Sequence, residues 1–281
     1  MKFHLVNIIP NERFHWMHAY DEVIETICWG LSELGHDVTC GINYFETKSI
    51  NILFGHRLVS VDFLRTLPRN TIIYNLEQIK GLSNEDILRN ESNIYCINNF
   101  QIWEYSQFQK EIWEGLNPKY SPVVVKIGYA PVLSKITKQE YNIDVLIYGE
   151  ATNNRLEIYR LLSCAGIRSV YLCGIFGSLR DNLISQSKII LNINKYPVTK
   201  IFEIVRVSYL FANKKAVLSD LSTCNAVEEE IKDAVYFINN YNYVEECLRI
   251  LDSDTERVTL EERGYDAIIK RDIRSILSSV I

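Results

Sequence analysis

Residues 200–220, KIFEIVRVSYLFANKKAVLSD, join a long apolar helix pattern to a short apolar strand pattern. The apolar residues of the helical part leave no fully polar face, which is typical of a helix packed on several sides. Asn213 is predicted to be a left-handed residue that ends this helix, and Ala216 to Leu218 form the next strand. The apolar positions of the helix are Ile201, Phe202, Ile204, Val205, Val207, Leu210 and Phe211.

Charged residues interrupt this apolar helix at every third position, as Lys200, Glu203 and Arg206. Such spacing places the three side chains close together along one side of a helix. Charges on a packed helix are costly unless they face a cleft, each other or a ligand. The pattern therefore predicts a ridge that binds a ligand, and the alternative is a simple ion pair between Glu203 and Arg206.

A second buried strand, KIILNIN, precedes this segment at residues 188–194. It ends in polar residues, among them Asn192 and Asn194. In open α/β sheets ligands bind at the carboxyl ends of the strands, often at a helix amino terminus. We therefore expect this loop and the start of the following helix to line one pocket.

Apolar strand patterns alternate with helix patterns along most of the chain, which predicts an α/β fold with parallel sheets. The length of 281 residues suits two domains. We predict them at 1–135 and 143–281, with the final helix crossing back to the first. Strands are expected at 3–9, 38–42, 51–54, 71–74, 94–97 and 123–127, then at 145–148, 170–173, 189–193, 216–218 and 235–238.

Net charge, cysteine spacing and the length of apolar runs exclude or disfavour several classes of protein. A net charge of −5 argues against strong, sequence-independent nucleic-acid binding. Seven cysteines without a CxxC spacing indicate reduced thiols in the protein core. No apolar run is long enough to span a membrane, and the start reads as a strand. These features predict a cytoplasmic protein, in a bacterium or in a virus-infected host cell.

The order and spacing of several short motifs resemble those of GT-B glycosyltransferases, in particular the CgeB-like, family-1-type proteins. The resemblance covers most of the chain. The motifs are LSELGHDV (31–38), YNLEQI (74–79), IWEYS (102–106), KIGYAP (126–131), DVLIYGEATNNR (144–155), GIFGSLRD (174–181), ILNINKY (190–196) and FEIVRVSYLFAN (202–213).

This resemblance implies two facing Rossmann-like domains with a cleft between them. It also implies transfer of a sugar from a nucleoside-diphosphate sugar to an unidentified acceptor: a glycan, a small molecule or a modified DNA base. No metal or other cofactor is expected, because helix amino termini and basic side chains would stabilise the leaving diphosphate. The implied donor-binding residues are Gly149, Arg155, Asn192, Asn194, Lys200, Glu203, Arg206 and Ser208.

The chain departs from the family pattern at three positions. Asn154 stands where a second arginine is common, and Asn194 stands where a histidine is common. Both changes remove a positive charge from the phosphate end of the expected site. In IWEYS, Glu104 replaces a more usual aspartate.

His18 and Glu77 are the candidate catalytic residues on the acceptor side. His18 is expected to open the first helix, where a neutral imidazole could act as base towards an acceptor hydroxyl. Glu77 closes a strand at the end where ligands bind. The alternatives are a surface or capping histidine, a capping role for Glu77, and Asp21 as the base.

Two other classes of protein fit the same sequence. One is a non-catalytic protein that keeps a sugar-nucleotide site, which the changes at Asn154 and Asn194 favour. The other is a small-molecule sensor with two α/β lobes. An enzyme would release a nucleoside diphosphate from a nucleotide sugar, whereas the non-catalytic protein would bind the nucleotide sugar without releasing it. The small-molecule sensor would bind no nucleotide.

Overall fold

The computed structural model describes residues 1–79, 81–195, 201–221, 226–239 and 242–281. The chain divides into two compact units, one formed by Met1–Val132 with Arg271–Ile281 and the other by Leu133–Lys270. Residues 136–142, which the predicted domains left between them, belong with the second unit. Residues 271–281 belong with the first unit, the one to which the final helix was expected to cross back.

The first unit contains a six-stranded parallel sheet in the order β2-β1-β3-β4-β5-β6. Its strands are β1 (Lys2–Asn7), β2 (Asp37–Ile42), β3 (Ile50–Phe54), β4 (Ile72–Asn75), β5 (Gln101–Glu104) and β6 (Val123–Val124). Its helices before the second unit are α1 (Asp21–Glu33), α2 (Val61–Thr66), α3 (Asn84–Leu88), α4 (Glu91–Asn99) and α5 (Gln107–Glu114).

The predicted strand at 94–97 is wrong, because these residues lie within α4. The Asn90 side chain accepts a hydrogen bond from the N–H of Asn93 and so caps the start of this helix. The strand comes one step later, as β5, with Ile102 and Trp103 buried. A short apolar run does not distinguish a buried strand from a buried helix face.

The second unit contains a five-stranded parallel sheet in the order β11-β10-β9-β7-β8. Its strands are β7 (Ile143–Tyr148), β8 (Ser169–Leu172), β9 (Ser187–Asn192), β10 (Ala216–Asp220) and β11 (Tyr236–Ile238). Its helices are α6 (Asn153–Cys164), α7 (Gly177–Ser185), α8 (Ile204–Ala212), α9 (Glu229–Lys232), α10 (Tyr243–Leu251) and α11 (Asp254–Ile269). The predicted α/β class with two Rossmann-like units is confirmed.

The helix predicted from residue 200 begins at Ile204, so the three charges do not form a ridge along one helix. Ile201 pairs with Ala226 as an isolated bridge, and the Phe202 N–H donates to the Ala226 carbonyl at 3.2 Å. Glu203 is the N-cap residue, with non-helical ψ of 52°. Lys200 lies outside the described residues. The apolar side chains at 201 and 202 are buried by this extended pairing rather than by a helix.

The end of α8 also differs from the prediction. Asn213 has φ of −108° and is not left-handed. The left-handed residue is Lys214, with φ of 50°. The Asn213 side chain instead donates to the carbonyls of Leu133 and Tyr209, both at 2.8 Å, and so fixes the segment that precedes β7.

The C-terminal helix α12 (Ile273–Ser278) packs on α1 in the first unit. Gly30 allows this contact, since a Cβ there would lie 2.8 Å from Cγ2 of Ile273 and 2.9 Å from Cδ1 of Leu277. The Arg271 carbonyl accepts a hydrogen bond from the N–H of Tyr129 at 2.7 Å. The final segment therefore completes the first unit.

The prediction that all cysteines are reduced core thiols is wrong. Cys28 on α1 and Cys40 on β2 form a disulfide, which links the helix to the neighbouring edge strand. Among the free cysteines of the described chain, Cys164 and Cys173 are exposed, whereas Cys96 and Cys247 are buried as expected. Cys224 lies outside the described residues. Sequence spacing alone did not indicate this pairing across two successive elements.

No helix within the described ranges combines the length and the apolar character needed to cross a membrane.

Candidate functional site

Polar residues of the second unit gather at the carboxyl ends of β7, β9 and β10. Gly149 follows β7, Asn192 ends β9 and Asp220 ends β10. The strand order reverses between β7 and β9, because β8 lies on one side of β7 and β9 on the other. Ligands of open parallel sheets bind at such a reversal. We therefore place the candidate site of this unit here.

Gly149 brings two arginines to one point of the backbone. A Cβ on this residue would lie 2.9 Å from Nη1 of Arg155 and 3.1 Å from Nη2 of Arg206. Its φ of 128° is one that side-chain-bearing residues rarely adopt. Glycine thus permits both the turn after β7 and the close approach of two guanidinium groups.

Arg155, on the first turn of α6, is buried and ties two loops together. Its Nε and Nη2 donate to the Ile193 carbonyl at 2.9 and 2.6 Å, and its Nη1 donates to the Glu150 carbonyl at 2.9 Å. Burial, and next the charge of Arg206, lower its pKa. These contacts hold the loops after β7 and β9, and direct contact of Arg155 with a donor phosphate stays a prediction.

Arg206 reaches the surface, unlike Arg155. Its side chain is 17% exposed, and Nη1 donates to Oδ1 of Asn192 at 3.2 Å. Nη2 lies 3.5 Å from Oε2 of Glu203, and the guanidinium stacks over the Tyr148 ring at 5.3 Å. Arg206 is therefore a fixed, partly exposed cation at the strand ends, which suits an anionic ligand.

Asp220 adds a carboxylate beside these arginines. Its Oδ2 accepts the N–H of Asn194 at 3.1 Å. Burial raises the pKa of Asp220 to about 6, and the Glu203 charge acts in the same direction, whereas Arg155 and Arg206 oppose it. The site thus combines positive groups suited to phosphate with carboxylates suited to hydroxyl groups.

The structure brings most of the predicted donor residues together. Asn192 connects Arg206 to Ser219, whose Oγ accepts from its Nδ2 at 3.0 Å. Asn194 joins the cluster through its backbone N–H. Ser208 does not join by any described contact: it is buried and bonds the Val205 carbonyl of its own helix at 3.3 Å.

Sequence reasoning missed Asp220 and Tyr148. Both end a strand at the same edge of the sheet as Asn192. The rule that selected Asn192, a polar residue at the carboxyl end of a parallel strand, also selects Asp220.

His18 belongs to a polar cluster in the first unit. It lies in a 3-10 helix, Glu12–Tyr20, so the prediction that it opens the first helix is wrong: α1 begins at Asp21. The His18 Nδ1 lies 2.7 Å from Oδ2 of Asp21. Nδ2 of Asn7, at the end of β1, donates to Oδ1 of the same carboxylate at 3.3 Å.

Glu77 follows β4 and accepts a hydrogen bond from the hydroxyl of Tyr20 at 2.6 Å. Burial, and next the Glu77 carboxylate, raise the pKa of Tyr20 well above its ordinary value. Tyr20 and Asp21 are adjacent, so the contacts of Glu77 and His18 meet at the start of α1. A capping role was the alternative interpretation of Glu77, but its carboxylate contacts the Tyr20 hydroxyl instead.

Glu104, the unusual residue of IWEYS, is fully buried at the end of β5. Its two oxygens accept hydrogen bonds from Asn75 Nδ2 at 2.7 Å, Gln109 Nε2 at 2.9 Å and Trp113 Nε1 at 2.9 Å. Burial raises the pKa of Glu104 to about 7, and the three hydrogen bonds oppose this shift. The longer side chain thus serves the core of the first unit.

The raised pKa of Glu104 predicts a pH-dependent stability. Between its ordinary pKa of 4.5 and about 7, the folded state holds a proton that the unfolded state releases. The contribution of this proton to the free energy of unfolding, about 3 kcal/mol, is therefore complete below pH 4.5. It is lost as the pH rises through 7. We expect the stability of Glu104→Gln, relative to the unmodified protein, to increase by this amount from pH 4.5 to 8.

Urea unfolding across this pH range measures the difference, with the exposed Glu85→Gln as control. A difference between Glu104→Gln and the unmodified protein that does not change with pH contradicts the prediction.

In the part of the chain that the structure describes, no group of three or more His, Cys, Asp or Glu side chains is placed to hold a metal ion. Metal independence stays a prediction.

Comparison with solved structures identifies the fold. TarM is 12% identical at a TM-score of 0.60, over 95% of this chain, which spans only 57% of TarM. Anabaena Alr3699/HepE, solved with UDP-glucose, is 11% identical at a TM-score of 0.60, over 99% of this chain and 98% of that one. The chain has the GT-B fold. This fold is also that of a DNA-modifying β-glucosyltransferase, 14% identical at a TM-score of 0.56, over 99% and 98% of the two chains.

Comparison of sequences adds nothing to this assignment, since no protein-family model and no curated protein matches the chain. At these low identities the GT-B likeness concerns the fold alone.

Proposed function

We propose that the protein is a glycosyltransferase that moves a sugar from a nucleoside-diphosphate sugar to an acceptor. The observation that carries this proposal is the pair of arginines at Gly149, at the strand-order reversal of a GT-B fold. UDP-glucose is bound to one similar structure and is named as the substrate of another. A diphosphate would neutralise the charge that the two arginines concentrate.

Arg206 would bind the donor diphosphate, while Arg155 holds the loops that shape the site. As the bond between the sugar and the phosphate breaks, negative charge grows on the diphosphate. A cation already fixed by Asn192 and Tyr148 stabilises that charge without rearrangement. The amino terminus of α8, directly before Arg206, adds a partial positive charge.

The acceptor would bind in the first unit. Its hydroxyl oxygen forms the new bond to the sugar, and its proton passes to a base, for which His18, Asp21 and Glu77 are the candidates. A glycan, a small molecule or a modified DNA base are the acceptor classes. The DNA-modifying neighbour supports the last class, and the net charge of −5 argues against strong binding to nucleic acid in general.

The proposal includes metal-independent catalysis and a cytoplasmic location. The Cys28–Cys40 disulfide is more typical of an oxidising compartment, so it weighs against that location. Cell fractionation with antibody detection tests the location directly.

Thermal unfolding with UDP-glucose, GDP-mannose and dTDP-glucose tests donor binding, because a ligand of the folded state raises the melting temperature. Release of the nucleoside diphosphate, with cell extract as acceptor, then tests turnover. Binding with turnover, unchanged by EDTA, is the expected result. Binding without any release would identify a non-catalytic nucleotide-sugar protein, and no binding at all would contradict the proposal.

Glu77→Gln should slow transfer and leave donor binding unchanged. Loss of a general base lowers the rate by about 10² to 10⁴. The matched comparison is His18→Gln, since only one of the two residues need serve as the base. If both variants keep the full transfer rate, neither residue is the base and Asp21 becomes the candidate.

A further inference from the structure

Asp220 holds a buried oxygen with no partner in the described chain. Its Oδ2 accepts the N–H of Asn194 at 3.1 Å, but Oδ1 is buried and makes no hydrogen bond. Buried acceptors in native proteins are nearly always paired, and an unpaired one is destabilising. An unpaired oxygen at the strand ends, where ligands of this fold class bind, therefore needs an explanation.

Neighbouring charges do not supply the missing partner. Arg206 bonds Asn192 and approaches Glu203, whereas Arg155 bonds the Ile193 and Glu150 carbonyls. No lysine or arginine of the described ranges forms an ion pair with Asp220, although the charges of both arginines act on its pKa. Oδ1 of Asp220 is thus an acceptor close to two arginines whose described hydrogen bonds go to other groups.

The chemistry of the missing partner follows from charge. A phosphate oxygen would be repelled by a carboxylate, whereas a hydroxyl group donates a hydrogen bond to it. Glu203 is less suited to this role, because its Oε2 already lies 3.5 Å from Nη2 of Arg206. A ligand that carries both phosphates and hydroxyl groups matches Arg206 and Asp220 together.

We propose that Oδ1 of Asp220 accepts a hydrogen bond from a hydroxyl group of the nucleotide sugar, on the ribose or on the transferred sugar. This inference rests on the proposed function. Asp220 then determines specificity, since a donor without that hydroxyl leaves a buried carboxylate oxygen unpaired. Within the described residues this oxygen is unpaired, so the site binds its ligand at the expense of stability.

Two substitutions at Asp220 test the proposal. Asp220→Asn keeps an oxygen for the Asn194 N–H and removes the charge, and Asp220→Ala removes both groups. The exposed Asp252→Asn serves as control on the same unit. The probe is whichever of UDP-glucose, GDP-mannose and dTDP-glucose binds the unmodified protein most tightly, titrated by calorimetry beside its own nucleoside diphosphate.

We expect Asp220→Ala to bind the nucleotide sugar roughly tenfold to a hundredfold more weakly, the range for a hydrogen bond to a charged group. Asp220→Asn should also bind more weakly, yet its melting temperature without ligand should equal or exceed that of the unmodified protein. A purely structural role predicts the opposite change in melting temperature. Asp252→Asn should change neither quantity.

The two ligands distinguish the source of the hydroxyl. Weaker binding of the nucleotide sugar alone assigns it to the transferred sugar, and equally weaker binding of the nucleoside diphosphate assigns it to the ribose. Unchanged binding in both Asp220 variants overturns this inference and leaves the proposed function standing. Failure of the unmodified protein to bind any of the three nucleotide sugars overturns both.

Discussion

Replacing Arg206 with alanine should weaken nucleotide-sugar binding roughly tenfold to a hundredfold, since it removes a charge-assisted contact to the diphosphate. The stability of the fold should change by no more than about 1 kcal/mol. The pair with Glu203 is long and partly exposed, and such pairs contribute little. Loss of the repulsion between Arg206 and Arg155 offsets part of that contribution.

Calorimetric titration with UDP-glucose, GDP-mannose and dTDP-glucose measures this effect. Arg160→Ala is the matched control, because Arg160 is exposed on α6 in the same unit. Arg206→Lys should recover only part of the affinity, since lysine offers a single ammonium group in place of the planar fork. Full affinity in Arg206→Ala would show that the diphosphate binds elsewhere.

Arg155→Ala should lower the free energy of unfolding by about 2 to 4 kcal/mol. The change removes the side-chain donors to the Ile193 carbonyl and leaves the Glu150 carbonyl only the Tyr171 hydroxyl, at 2.8 Å. It also opens a cavity at a fully buried side chain. The loops after β7 and β9 would lose the group that joins them. Nucleotide-sugar binding should therefore weaken as well, through disorder of the site rather than through a lost contact.

Urea unfolding measures this loss, with Arg160→Ala again as control. The contrast between the two arginines is the informative result: Arg206→Ala loses affinity and keeps stability, whereas Arg155→Ala loses stability first. If Arg155→Ala is as stable as the unmodified protein but fails to bind, Arg155 contacts the ligand directly, as the family resemblance implies.

The sheets and the location of the candidate site could be predicted because buried parallel strands leave continuous apolar runs. KIILNIN and the run from Ala216 both became central strands of the second unit. The polar residues that follow such runs lie at the ligand-binding edge, so the pattern placed Asn192 at that edge, whereas Gly149 was named from the family resemblance. Burial on both faces makes these patterns strong.

The errors arose where tertiary contacts override local pattern. Glu203 and Arg206 are three residues apart, and only the pairing of Ile201 with Ala226 shows that Glu203 precedes the helix. Contact of Arg155 with a phosphate stays a prediction, but its bonds to carbonyl groups of two loops could not be foreseen, because residue spacing does not reveal them. The acceptor could not be predicted, because the hydrogen-bonding groups around His18 and Glu77 do not distinguish a glycan from a small molecule or a modified DNA base.

Hydrogen exchange measured by mass spectrometry, with and without the best-binding nucleotide sugar of the three, tests whether the donor binds at the strand ends of the second unit. Exchange of backbone amides locates a bound ligand wherever it lies. We expect slower exchange at residues 149–155, 192–194 and 203–208 of the second unit. Slower exchange confined to segments outside these three ranges would contradict a donor site at the strand ends.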